Sequence, residues 1–90
     1  MHADTFITRN EIIRRTGRPD SSLRRDIRLG EFPRLIDAGP GRRGIPESEL
    51  VVIMAARVAG ASREDLRALV KRIHEHRRRL AAELGLQEAA

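Results

Sequence analysis

The chain contains no cysteine, no tryptophan and no tyrosine, and its only aromatic residues are Phe6 and Phe32. Without cysteine there is no disulfide scaffold and no thiolate-ligated zinc or iron–sulfur site. Two phenylalanines cannot build the aromatic platform on which single-strand binders stack successive bases. Long apolar runs are missing as well: none approaches the roughly 20 residues that span a bilayer. Met1-His2-Ala3-Asp4 lacks the basic start and apolar stretch of a secretory leader, so a cytoplasmic location is expected. At 90 residues there is room for one small domain and none for a separate catalytic one.

Lysine is nearly absent too. Lys71 stands alone beside 17 arginines, and the formal charge is +5. A basic balance favours a polyanionic partner. Guanidinium reads guanine edges and phosphates as a fixed fork, which lysine does not. A GC-rich coding sequence produces the same preference, so both readings of the arginines stand. The charge is uneven. Residues 1–45 carry ten arginines against six acids, and residues 46–90 carry eight basic residues against seven acids. The electrostatic footprint therefore lies mainly in the first half.

The spacing predicts four helices and a hairpin. Thr8-Arg9-Asn10-Glu11 fits a capping box, with Ile12 and Ile13 as the apolar side of the first helix and Gly17 as its stop. A second helix is expected from Asp20 or Ser21 to Leu29, capped by one of those two side chains. Its buried face is Leu23 and Ile27; Arg18, Ser21, Ser22, Arg25 and Arg28 point away. Leu35 to Ala38 and Arg43 to Pro46 are strands flanking the turn Gly39-Pro40-Gly41-Arg42. A third helix follows to Val58 or Ala59, apolar nearly all round and so expected to be the most buried element. Ser62-Arg63-Glu64-Asp65 caps a fourth that reaches about Leu84.

Two short helices, a tight turn and a basic-tipped hairpin in that order describe a helix-turn-helix with a wing. The expected fold class is mainly α with a small β-hairpin. Residues 1–60 would form a DNA-binding domain, and 61–90 a C-terminal helix. In such an arrangement the second helix faces the major groove and the hairpin reaches a phosphate or the adjacent minor groove. The candidate double-stranded DNA contacts are Arg18, Ser21, Ser22, Arg24, Arg25, Arg28, Arg34, Arg42 and Arg43. A merely solvated basic face is the competing reading.

The stretch from about Phe6 to Leu50 resembles the AlpA-type family of small phage and mobile-element regulators, relatives of excisionases and of the DNA-binding part of MerR-like proteins. The matching pieces are Thr16-Gly17, Ser21-Ser22-Leu23, Arg25, Ile27, Gly30-Glu31-Phe32-Pro33, Gly41-Arg42, Gly44 and Glu47-Ser48-Glu49-Leu50. They run in register without a gap over about half the chain; no single piece is specific, but the ordered set is. The resemblance implies a bacterial or phage winged helix-turn-helix protein. It would act as a transcriptional regulator or as a recombination directionality factor that turns an integrase towards excision. Four positions depart from the pattern. Pro19 stands where serine is usual, Arg24 where an aromatic is frequent, Asp26 where an apolar residue is common and Ile45 where tryptophan is frequent. Asp26 must then be wet, or paired with Arg24, Arg25 or an arginine of the first helix.

In the fourth helix the stripe Leu66, Leu69, Val70, Ile73 breaks at Arg77 and resumes at Leu80 and Leu84. Either the body ends near Ile73 and a solvated tail follows, or the helix projects, Arg77, Leu80 and Leu84 meeting another protomer or an integrase while the arginine cluster within His74 to Arg79 touches DNA. A protein-interaction module, adaptor or antitoxin-like, using this helix is the reading from a different class. Catalysis, cofactors, a small-molecule ligand and a membrane partner are not expected. His74 and His76 stand about 200° apart on a helix and cannot chelate one metal. Gly39 to Gly44 lacks the Gly-Lys-Ser/Thr ending of a phosphate loop.

Overall fold

A computed structural model describes residues 4–86; Met1 to Ala3, read above for a leader, and residues 87–90 lie outside it. The chain runs β1 (Phe6–Thr8), α1 (Arg9–Thr16), α2 (Asp20–Arg28), β2 (Ile36–Asp37), β3 (Arg43–Pro46), α3 (Glu47–Val58) and α4 (Arg63–Glu83). The architecture is mainly helical with one small antiparallel sheet of order β1-β3-β2.

The sheet holds a strand that the sequence did not announce. Phe6, Ile7 and Thr8 pair with Pro46, Ile45 and Gly44, so β3 is a central strand and the hairpin is bound to the start of the chain. Three residues are too few to show a period, which hid β1. Its middle residue, Ile7, is buried, as is its partner Ile45. The close approach depends on Gly44: a Cβ there would lie 1.9 Å from the carbonyl oxygen of Ile7.

Helix ends follow local chemistry, with two corrections. Thr8 makes no side-chain cap, and Glu11 bonds Arg14 and Arg15 instead of turning back. Those two guanidinium groups hold the Glu11 carboxyl down at about 2. Gly17 closes α1 in the left-handed region, at φ 69°, with its N–H on the Ile13 carbonyl. At α2 the cap is Pro19, extended, and not Asp20 or Ser21; its carbonyl accepts from Ser22 and Leu23. Proline fixes φ near the value an N-cap needs, which releases Asp20 for ion pairing. α3 receives a cap from afar, since the Asp4 carboxylate accepts the Ser48 N–H at 3.1 Å. α4 has the expected box: Ser62 Oγ accepts from the Asp65 N–H, and the Asp65 carboxylate accepts from the Ser62 N–H.

The core is Ile7, Ile12, Leu23, Phe32, Ile45, Leu50, Ile53 and Val70, drawn from every helix, from β1 and β3, and from the segment before β2. α3 is not the most buried element. Only Leu50 and Ile53 are fully inside, while Val51, Val52 and Val58 are exposed, Val58 at 87%. One face of a helix is all that the small sheet and α4 can cover, whatever the polarity of the rest. Gly44→Ala is expected to separate β1 from β3. Amide protection at residues 6–8 would fall while the helical signal persists, as read by hydrogen exchange and circular dichroism.

Candidate functional site

α2 divides cleanly. Ser21, Arg24, Arg25 and Arg28 are exposed and share one face, Ser22 is half-buried at its edge, and Leu23 and Asp26 point inward with Ile27 beside them. Asp26 is 2% exposed. Its Oδ2 lies 2.8 Å from an Arg18 Nη2 and 3.2 Å from an Arg57 Nη2, with the Arg25 Nε 4.0 Å from its other oxygen. Of the partners expected for this carboxylate only Arg25 is near, and at the limit of reach. The working partners come from the α1–α2 turn and from α3. Arg57 was missed in sequence; its signal is that it is the one cation in the apolar run of α3. Arg18, a candidate DNA contact, is committed inward, and its buried Nε finds no acceptor among the described residues.

Asp20 opens α2 and accepts from both Arg9 of α1 and Arg24, the latter at 3.0 Å. Arg9, not singled out beforehand, lines a cleft of about 380 Å³ between α2 and the hairpin with Leu23, Arg24, Ile27, Arg34, Leu35 and Arg43. Its floor is apolar and its rim carries four guanidinium groups. Across the turn, the Arg42 N–H bonds the Gly39 carbonyl and Ala38 bonds back to Arg42, which holds Arg42 and Arg43 outward at the tip.

The remaining body carboxylates are taken up in the same way. Glu31, 5% exposed, faces Arg67 at 3.0 Å and Arg63 at 4.0 Å. Glu47 holds Arg15, and Glu49 holds Arg77 through two bonds. What is left sorts by place. Among the described residues Arg28, Arg34, Arg42 and Arg43 have no carboxylate within ion-pair distance, and neither do Lys71, Arg72, Arg78 and Arg79 on the exposed side of α4. The first group lies on α2 and the hairpin with its approach.

Arg77 is engaged within the fold: besides Glu49, its Nη1 donates to the Arg34 carbonyl at 2.9 Å. His74 Nε2 accepts the Arg34 N–H at 3.1 Å. α4 therefore grips both backbone groups of the residue that leads into β2, one turn beyond Ile73. Past this grip Leu80 and Leu84 are exposed, at 48% and 65%. Among the described residues no cluster of His, Cys, Asp or Glu is placed to hold a metal ion, and no helix is long and apolar enough to cross a membrane.

The chain matches no protein-family model, and searches of curated proteins and of solved structures find no match either.

Two outcomes test this layout. Asp26→Ala leaves the half-buried Arg18 and Arg57 without their shared counter-ion and is expected to cost about 1–3 kcal/mol in denaturant unfolding, because both guanidinium groups keep some contact with water. His74 can accept the Arg34 N–H only when neutral. Burial and the positive charges of Arg34, Arg77 and Arg78 lower its pKa, against the opposing pull of Glu49. Because the folded pKa lies below that of the unfolded chain, the contribution is full above about pH 6.5 and is lost as pH falls through the folded value. His74→Gln should therefore melt with a weaker dependence on pH below about 6.5 than the wild type.

Proposed function

We propose that this chain is a winged helix-turn-helix protein that binds double-stranded DNA without catalysing a reaction. The observation that carries the reading is the sorting of arginines. Those facing the body are neutralised by Asp26, Glu31, Glu47 and Glu49, while Arg25, Arg28, Arg34, Arg42 and Arg43 stay exposed on α2 and the hairpin. On this reading α1 braces α2, the outer face of α2 enters the major groove, and the hairpin tip meets phosphates or the next minor groove. Ser21, Arg25 and Arg28 read base edges, Ser22 supports them, and Arg24, Arg34, Arg42 and Arg43 hold the backbone. Arg18 acts through Asp26, by fixing the pose of α2.

The resemblance to AlpA-type regulators supports the same reading and adds the role: a cytoplasmic recombination directionality factor, a promoter regulator, or both, of a prophage or mobile element. The partners are then duplex DNA, a second copy at an adjacent site, and an integrase. A second reading has its own observation. The exposed valines of α3, with Leu80 and Leu84, are the apolar surface that a protein-interaction module would use.

The test is duplex binding against salt. About four to six phosphate contacts give a log–log slope of roughly −4 to −5. A flat response overturns the DNA reading and favours the interaction module. Arg25→Ala is expected to remove site preference, whereas Arg42→Ala weakens all duplexes alike. Sequence preference that survives Arg25→Ala would mean that another face reads the bases.

A further inference from the structure

The two groups of exposed cations without a carboxylate partner meet at one residue. Arg34 lines the cleft beside α2 and the hairpin, and its backbone is held by His74 and Arg77 of α4. Arg78 follows Arg77 directly and stands one turn beyond His74, on the same flank of the helix. It is exposed and, among the described residues, has no carboxylate within ion-pair distance; Glu75, three residues earlier on the same helix, makes no ion pair with it. The positive potential of Arg78 reaches His74 together with that of Arg34 and Arg77. Glu49, the acid whose charge opposes these cations at His74, is occupied by Arg77. The basic surface therefore does not end at the hairpin. It continues across Arg34 onto α4.

We propose that Arg78 forms a second phosphate-contact region, engaged by the same duplex where it runs past the base of the hairpin. This rests on the DNA reading above and extends it from three elements to four. The occupant is a nucleic-acid backbone because the region offers an exposed guanidinium on a held turn of α4, continuous through Arg34 with the basic hairpin, while the small hollow beside it, lined by Glu75, Arg79 and Ala82, has only Ala82 as an apolar side chain. The fixed position comes from the grip on Arg34, which holds this turn of α4 against the body.

Fluorescence anisotropy with two duplexes tests it. One is trimmed to the segment beneath α2 and the hairpin; the other extends about one helical turn further at both ends. On the long duplex Arg78→Ala is expected to reduce the salt slope by about 0.9, the value of one phosphate contact, and to weaken preferred and unrelated sequences equally. On the short duplex it should match the wild type. Arg79→Ala removes the same charge about 100° further round the helix and should match the wild type on both. The proposal is overturned if Arg78→Ala leaves the long-duplex slope unchanged. It is also overturned if Arg79→Ala lowers that slope as much, since total charge would then be the cause. Failure of the wild type to bind either duplex in a salt-dependent way removes the DNA reading itself, and this extension with it. That outcome is visible before any variant is made.

Discussion

Asp26 is a carboxylate taken almost wholly out of water, and such a group is tolerated only where cations and donors surround it. Arg18 approaches from the α1–α2 turn and Arg57 from α3, so one side chain of α2 joins three parts of the fold. Hydrophobic contacts at Leu23 and Ile27 set which face of α2 points inward. They do so without direction, and a helix resting on them alone can roll. The ion cluster adds direction. It also decides which arginines are left outside, because each guanidinium turned inward towards Asp26, Glu31 or Glu49 is one fewer on the surface. The charge pattern of the exterior is thus partly a consequence of what the interior demands.

The hairpin is held by a different device. A two-stranded ribbon of this length is not stable alone, and β1 supplies the third strand that makes it part of the body. Gly44 permits that approach, and β3 passes through Pro46 straight into α3. The tip carrying Arg42 and Arg43 is therefore referred to the same core as α2. Its approach segment is fixed independently, by His74 and Arg77 on Arg34. Two basic elements of unlike secondary structure keep one relation to each other because each is anchored on both sides.

Much of this was legible in the residues and some was not, for physical reasons. Helices announced themselves by glycine stops, by the Ser62 box and by the spacing of Leu23 and Ile27, all of which are local. The second strand appeared at the expected Arg43 to Pro46, whereas the first proved shorter than the expected Leu35 to Ala38. β1 was hidden because a three-residue strand exists only through its partner, 36 or more residues away in the chain. The Thr8 cap failed because Glu11 had stronger partners in Arg14 and Arg15. The apolar composition of α3 suggested burial on all sides, but burial depends on how many neighbours surround a helix. Ion pairs were the least legible. In a chain with 17 arginines any acid has many possible partners, and only the fold selects Arg57 for Asp26 or Arg77 for Glu49.

The single lysine, Lys71, is exposed on α4, and all the other basic side chains apart from histidine are guanidinium groups. Guanidinium does not deprotonate at any pH a cell reaches. Acyl transfer to lysine, the common enzymatic way of erasing surface charge, has one side chain here on which to act. The positive surface of this protein is accordingly a constant. Acidification reaches it only indirectly, through the histidine on α4 that holds Arg34. What varies its strength is the ionic atmosphere around it and whatever anion occupies it, so control over this surface has to be exercised from outside the chain.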